Sequence, residues 1–331
     1  MRDTERLILF HNNPPDLDKC VEIDGADLEL VLEHVELTRH IQEIHSLFRI
    51  LLVNAEKLTS EYIVYNYGGV FRDGEKADSD EDYYKINAYV ISIISSGRAL
   101  KESMDVFTKT VSDSCPEKAA YIDYDRALYD GSFAYRFIIH MRNYAQHAHL
   151  PVTCTDGVYF FDFTVILAKP HFTHKASIKE EMTRYRDEII KLYDNNPTLS
   201  LTLTLAEFVY ILLALYYRFL LSFKRLVYDS ANTFSEIITR YPDNVVDGAF
   251  VYNTDDDGFI HAALVSDDSC LMIDNYLEEA KDKFEENKTE WEELKGSMIS
   301  YYKENESANP KIGRLSAILS DPVKEASEQE K

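Results

Sequence analysis

Apolar residues recur every three or four positions along most of the chain, which is the spacing of an amphipathic helix. The first predicted helix runs from Asp24 to about Tyr65 and carries Leu28, Val31, Leu32, Val35, Ile41, Ile44, Leu47, Phe48, Leu51 and Leu52 at these intervals. Three more helices are predicted before residue 150: Tyr83 to about Ser112, a helix opened by Pro116, and Ser132 to His149. Pro151 ends the fourth helix, because the residue before a proline is pushed out of the α region.

The segment between the first two helices, Arg72 to Asp82, is rich in Asp, Glu, Lys and Ser and is typical of a mobile loop. After Pro151 the apolar spacing changes to two, which indicates strands. Val152–Thr155 and Val158–Leu167 flank Asp156-Gly157, and Asp-Gly between β-branched and aromatic residues predicts a hairpin. A second hairpin is predicted from Val245–Tyr252 and Phe259–Val265.

Longer helices are predicted around these hairpins. Ser177 with Glu180 and Thr204 with Glu207 have the spacing of capping boxes. They predict helices that reach about Asp194 and Tyr241, and a last helix is predicted from Ser269 to Tyr302. The fold class is therefore mainly α, a helical bundle with two small β-hairpins in or before a helical C-terminal half.

These elements predict four parts of the chain. They are an N-terminal segment (1–23), a helical bundle (24–150), a hairpin-plus-helix region packed on it (151–303) and a disordered or loosely attached acidic and polar tail (304–331). With 331 residues and 45% hydrophobic content, the chain can bury one large core or two smaller ones.

Cysteine content and the N-terminus both favour the cytoplasm. The four cysteines are far apart and form no CxxC pair, which excludes a recognisable zinc site or disulfide framework. The first ten residues mix charges with apolar residues and lack a secretory signal. Phe208–Phe223 contains one charged residue, Arg218, but is shorter than the roughly 20 residues that a bilayer requires. This segment predicts a buried core helix, and we expect no interaction with a membrane.

Charge argues against nucleic-acid binding over most of the chain and favours it in one stretch. The formal net charge is −23, from 58 acidic and 35 basic residues, and nucleic-acid phosphates are bound by lysine and arginine. From Gly131 to Thr155, however, no acidic residue occurs. Half of the ten histidines lie between residues 131 and 179: His140, His147, His149, His171 and His174.

The stretch from Arg142 to His147 places a guanidinium, a side-chain amide (Asn143) and an imidazole near a helix end. Arginine binds phosphate bidentately, and histidine exchanges a proton near neutral pH. A second stretch, Arg39 to His45, has similar spacing but lies among carboxylates whose field repels a phosphate: Glu29, Glu33, Glu36 and Glu43. Charge context therefore favours Arg142.

Four helices with Arg142, Asn143 and His147 at the end of the last one resemble the HEPN superfamily, over roughly Asp24 to Leu150. Its members often act as metal-independent endoribonucleases in prokaryotic defence and toxin systems. The resemblance implies RNA as substrate, no metal or other cofactor, and leaves room for an antitoxin or other operon partner. His147 would deprotonate the RNA 2′-hydroxyl, Arg142 would stabilise the phosphate, and Asn143 would orient the phosphate or the histidine.

One motif supplies no acid for the leaving 5′-oxygen. In an ideal helix, positions five apart also lie about 140° apart around the axis, so Arg142 and His147 do not share a face. Related HEPN members pair their motifs across a two-fold axis, and we expect a homodimer through the fourth helix. Four further residues of this region are candidates for substrate binding: Arg136, His140, Tyr144 and His149.

Two other functions stay open. The chain could be a non-catalytic HEPN-like helical module that binds a nucleotide or a partner protein, using its acidic C-terminal half as the contact surface. It could also be a structural interaction protein with an accidental motif. In that case Arg142 caps carbonyls near the helix end and His147 is a partly buried polar residue hydrogen-bonded to the hairpin. The polar stripe of Arg136, His140, Tyr144 and His147 is then a structural seam instead of part of a substrate groove.

Overall fold

A computed structural model of the protein describes residues 8–9, 21–22, 25–62, 64–66, 69–71, 80–146, 149–155, 158–169, 176–192, 198–240, 249–254, 260–265, 268–304 and 323. These residues are mainly α-helical, with short antiparallel strand pairs, which confirms the predicted fold class.

The four N-terminal helices are α1 (Gly25–Tyr62), α2 (Asp80–Thr110), α3 (Pro116–Gly131) and α4 (Phe133–Gln146). Pro116 stands at the first turn of α3, as predicted. Helix α2 begins inside the segment predicted as a loop, because Asp80, Glu81 and Asp82 favour a helix N-terminus through the helix dipole. Residues 72–79 lie outside the described residues. Helix α4 ends at Gln146, earlier than the predicted end at His149.

Helix α1 is shorter than predicted, because residues 64–66 are extended. Strand β3 (Val64–Asn66) pairs with β4 (Gly69–Phe71) in an antiparallel hairpin. The β-branched and aromatic residues of this segment, next to two glycines, favour a hairpin over a further helical turn. A second unpredicted pair, β1 (Ile8–Leu9) with β2 (Val21–Glu22), lies in the N-terminal segment.

The hairpin predicted around Asp156-Gly157 is confirmed. Strand β5 (Thr153–Thr155) pairs with β6 (Val158–Asp162), and β7 (Thr198–Ser200) extends them into a three-stranded antiparallel sheet. The prediction that the second strand reaches Leu167 is wrong. Asp162 ends it, because its carboxylate accepts hydrogen bonds from the backbone N–H groups of Thr164 (2.8 Å) and Val165 (3.2 Å) and so caps α5 (Phe163–Leu167).

The second hairpin is also confirmed: β8 (Ala249–Thr254) pairs with β9 (Ile260–Val265). The remaining helices are α6 (Ala176–Leu192), α7 (Leu201–Thr239) and α8 (Ser269–Glu304). Both predicted capping boxes are wrong, because α6 and α7 begin before Ser177 and Thr204, which lie inside their helices. The predicted tail (304–331) lies outside the described residues except for Glu304, the last residue of α8, and Val323, which is buried.

Helix α7 is the one helix, within the described ranges, that is long and apolar enough to cross a membrane. Its most apolar window is 72% buried inside the protein. Phe208, Leu212, Tyr216, Phe219 and Phe223 are fully buried, which confirms the prediction of a core helix.

Helix α2 passes close to α7 at Gly97. A Cβ atom added at Gly97 would lie 2.6 Å from Cε1 of Phe208 and 2.7 Å from Cδ1 of Leu212. A side chain at this position would overlap the core, so the close approach of the two helices requires glycine.

The chain forms two compact units, and the predicted boundary at residue 150 falls inside one of them. The first unit comprises residues 1–45 and 220–279, and the second comprises 46–219 and 280–331. In the first unit, Nδ1 of the buried His34 lies 2.9 Å from Oγ of Ser230, and its ring stacks on Phe234. In the second unit, α4 packs on α2 and α3.

Candidate functional site

The turn between α3 and α4 sets the start of the helix that carries the motif. The backbone N–H of Ser132 donates to the carbonyl of Leu128 (3.1 Å) and ends α3. The hydroxyl oxygen of Ser132 accepts a hydrogen bond from the backbone N–H of Tyr135 (3.0 Å) and so caps α4. The same hydroxyl donates a hydrogen bond to the carboxylate of Glu207 on α7. One side chain thus fixes α4 to the core helix.

The apolar residues of α4 decide which of its polar side chains reach the surface. Tyr135, Phe137, Ile138 and Met141 are fully buried, and Tyr144 is nearly so. The neighbouring positions Arg142 and Asn143 are only partly buried. The end of α4 therefore presents a guanidinium and an amide that remain accessible.

Arg142 shares a carboxylate with a second arginine. Nη1 of Arg142 lies 3.5 Å from Oε1 of Glu102, and Nε of Arg98 donates to the same oxygen at 2.9 Å. The side chains of Arg142 and Arg98 are 34% and 31% exposed. We call these three residues the Arg98–Glu102–Arg142 cluster; with two guanidinium groups and one carboxylate, it carries one net positive charge.

Sequence reasoning missed Arg98 and Glu102. They stand four residues apart on α2, a spacing that predicts an intrahelical ion pair, but this pattern is common on helix surfaces. Only the packing of α4 on α2 shows that Arg142 reaches the same carboxylate.

Arg136, predicted to bind substrate, is held in a structural network. Its Nε and Nη2 donate to Oε1 of Glu181 on α6 at 2.9 and 2.7 Å. Nη1 donates to the carbonyls of Tyr129 and Asp130, near the C-terminal end of α3. The guanidinium therefore caps α3 and links α4 to α6, and these contacts account for it without a ligand.

His140 and Tyr144, two further candidates, are largely inside the protein. His140 is 9% exposed, and its Nε2 lies 3.3 Å from the hydroxyl of Tyr129. The ring of Tyr144 packs against the half-buried ring of His149 at a centroid distance of 4.8 Å. Burial raises the pKa of Tyr144, and nearby Tyr83 and Asp162 raise it further. Tyr144 therefore stays protonated at neutral pH and packs against the segment that follows α4.

His147 lies outside the described residues, and its approach to Arg142 stays a prediction. The chain on its C-terminal side is held firmly. Asn87 of α2 accepts from the backbone N–H of Val152 through Oδ1 (3.0 Å) and donates to the carbonyl of Val152 through Nδ2 (3.4 Å). Helix α4 and the chain at Val152 therefore both contact α2.

The competing stretch on α1 has a different environment. Nη2 of Arg39 donates to both carboxylate oxygens of Glu36, at 2.7 and 2.6 Å, and the two side chains are half-exposed or more. His45 stacks on Tyr276 at 3.6 Å and lies 3.5 Å from the carboxylate of Glu279. The charge of the Arg39 guanidinium is thus compensated by the carboxylate of Glu36, one turn earlier on the same helix.

Two other kinds of site can be described. Throughout the part of the chain that the structure describes, no group of three or more His, Cys, Asp or Glu side chains has the arrangement of a metal site. Cys115, Cys154 and Cys270 are free thiols, each half-buried.

No protein-family model, curated protein or solved structure matches this chain.

Proposed function

We propose that the protein is a metal-independent endoribonuclease of HEPN type. The observation that supports this most is the Arg98–Glu102–Arg142 cluster. In a chain of net charge −23, it places two partly exposed guanidinium groups around one carboxylate, in contact with the acid-free stretch 131–155. A phosphate could take the place of Glu102 as the partner of Arg142. The guanidinium would then bind two phosphate oxygens instead of making one weak contact with a carboxylate.

The chemistry needs no metal. His147 removes the proton of the 2′-hydroxyl, the 2′-oxygen attacks the adjacent phosphorus, and the bond from phosphorus to the 5′-oxygen breaks. The 5′-oxygen leaves with a proton from a general acid, and the product carries a 2′,3′-cyclic phosphate. Arg142 stabilises the charge on the phosphate oxygens, and Asn143 orients the phosphate or the imidazole.

The general acid comes from a second copy of the chain under this proposal. A two-fold axis beside α4 would place two His147 side chains and two Arg142 side chains around one cleft. We also propose a cytoplasmic role in defence, stress response or toxicity, with an antitoxin or other operon partner to restrain the nuclease.

A cleavage assay tests the proposal. Purified protein in EDTA is incubated with RNA, and we compare the wild type with Arg142→Ala and His147→Ala. Each variant should lose about 10²-fold or more of the cleavage rate, the usual effect of removing a charge-stabilising group or a general base. Arg39→Ala is the matched control, since its guanidinium is already paired with Glu36. Wild-type cleavage by both active-site variants would refute the proposal.

A second candidate is a non-catalytic module that binds a nucleotide or a partner protein, and of these the structure favours a phosphate-bearing ligand such as a nucleotide. The Arg98–Glu102–Arg142 cluster favours it specifically, because two arginines can hold a phosphate without His147. The same variants separate the two functions. Binding without cleavage in the wild type, lost in Arg142→Ala and retained in His147→Ala, would support the module.

A further inference from the structure

A pocket in the second unit has no lining residue in common with the Arg98–Glu102–Arg142 cluster. Helices α1, α2, α7 and α8 surround a recess that is partly open to solvent. Its walls are largely apolar and include Leu58, Ile93, Leu201, Leu205 and Val209, all of them buried. An apolar recess of this kind is typical of a small-molecule site.

Three residues of this lining each carry a buried polar atom that has no hydrogen-bond partner in the part of the chain that the structure describes. The atoms are Oγ1 of Thr202 on α7, and Oδ1 of Asn287 and Nε1 of Trp291 on α8. Trp291 is only 3% exposed. A buried polar group without a partner lowers stability, so three of them around one pocket need an explanation from outside the chain.

The three atoms define what would satisfy them. The indole N–H of Trp291 only donates, the amide oxygen of Asn287 only accepts, and the hydroxyl of Thr202 does either. Asn287 and Trp291 stand four residues apart, on one face of α8. A molecule with an acceptor and a donor close together would form hydrogen bonds with both the indole N–H of Trp291 and the amide oxygen of Asn287. The apolar body of such a molecule would fill the space between the leucines.

Charge at the pocket selects against anions. Glu290 is part of the lining, and Glu286 and Glu293 lie near it on α8. Desolvation raises the pKa of the Glu290 carboxyl, the neighbouring carboxylates raise it further, and Lys283 opposes them. An anionic ligand would meet these carboxylates, whereas a neutral one would not.

We propose that this pocket binds a small neutral molecule with an apolar body and an amide-like edge, in which an N–H donor and a C=O acceptor stand side by side. Trp291 and Asn287 recognise that edge, and Thr202 makes a third hydrogen bond from α7. This site does not depend on the proposed ribonuclease activity, and either can fail without the other.

Trp291 is the only tryptophan in the chain, so its fluorescence reports on this pocket directly. The first probe is ε-caprolactam, which has the amide edge on an apolar ring. The second is N-methyl-ε-caprolactam, which keeps the acceptor but lacks the donor. We expect a saturable change in fluorescence with ε-caprolactam, with a Kd of the order of millimolar for so small a ligand, and at least about 5-fold weaker binding of the methylated probe.

Two matched substitutions complete the test. Thr202→Val removes a hydroxyl that has no hydrogen-bond partner among the described residues. It should weaken the binding of ε-caprolactam about 5-fold and leave the Tm unchanged or higher. Thr59→Val is the control, since Thr59 lines the same pocket but its hydroxyl already donates to the carbonyl of Ala55 (2.9 Å). No saturable response to ε-caprolactam, equal binding of the two probes, or a lower Tm in Thr202→Val would each overturn the proposal.

Discussion

Two stretches of this chain have similar arginine-to-histidine spacing, on α1 and at the end of α4, but different electrostatic surroundings. Arg39 is bound by both carboxylate oxygens of Glu36. Nη1 of Arg142 lies 3.5 Å from Oε1 of Glu102, and Nε of Arg98 lies closer to the same oxygen, at 2.9 Å. Spacing alone therefore does not distinguish the two stretches; the balance of charges around each guanidinium does.

Charge reversal should break this comparison most strongly. Arg142→Glu places two carboxylates beside Arg98, and we expect RNA cleavage to fall by about 10²-fold or more, because the charge that stabilises the phosphate is lost. Arg39→Glu adds a carboxylate to a surface that is already acidic and should leave the rate unchanged. Initial rates with a labelled RNA in EDTA measure both. Equal losses in the two variants would mean that net charge, and not the α4 site, controls cleavage.

Gly97→Ala tests whether the close approach of α2, the helix that carries Arg98, to α7 requires glycine. The added methyl group meets the buried Phe208 and Leu212 side chains at under 3 Å, so the overlap should outweigh the helix propensity of alanine. We expect a loss of about 1–3 kcal/mol in the free energy of unfolding. Urea unfolding measures it.

Gly25→Ala, at the start of α1, is the control for that substitution. A Cβ atom there would lie in open space as far as the structure describes the chain, so the substitution should leave stability unchanged or slightly higher. A Gly97→Ala protein as stable as the wild type would show that α2 and α7 can separate without cost.

Removing the shared carboxylate should sharpen the comparison further. Glu102→Gln takes away the anion that competes with a phosphate for both arginines, and RNA affinity should rise by about 2- to 5-fold, the scale of a partly exposed ion pair. Glu36→Gln should raise it less, because other carboxylates surround Arg39. Fluorescence anisotropy at low salt measures the affinities, and the gain should shrink as salt is added. Weaker binding by Glu102→Gln would show that Glu102 instead positions the arginines.

The smallest expected effect is a pH dependence of stability from α3. Burial raises the pKa of Asp125 above 3.8, Asp105 adds to this, and Lys101 and Tyr135 oppose it. A carboxyl with a raised folded-state pKa favours folding at low pH, and that contribution is lost as the pH rises through the folded-state pKa. Asp125→Asn should therefore reduce the decline in unfolding free energy above pH 3.8.

Asp113 gives the matched contrast. Its carboxylate accepts a hydrogen bond from Lys118 at 2.6 Å, which lowers its pKa below 3.8. Its contribution has the opposite sign: it is present above the unfolded-state pKa and is lost as the pH falls through the folded-state pKa. Asp113→Asn should therefore lower the free energy of unfolding above the unfolded-state pKa of the carboxyl and have little effect at more acidic pH. The same slope in both variants would contradict the assigned causes.

Local signals predicted much of the fold. Pro116 marks the start of α3, Asp156-Gly157 lies between two paired strands, and the apolar run Phe208–Phe223 predicted the core helix α7. Each signal acts within a few residues, which makes it readable from sequence.

The errors arose where a local pattern competes with another, or where a partner is distant in sequence. Asp162 caps a helix in a segment whose residues also favour a strand. Glu207 receives a hydrogen bond from Ser132 in place of serving a capping box. Arg98 and Glu102 join Arg142 only because α4 packs on α2, a contact that no single-sequence pattern contains.

The most direct test of the central claim compares one RNA sequence with its fully 2′-O-methylated form, both in EDTA. The account predicts that the wild-type protein cuts the RNA, leaves a 2′,3′-cyclic phosphate, and does not cut the methylated strand, because the 2′-oxygen is the nucleophile. Cleavage of both strands, or of neither, would contradict it.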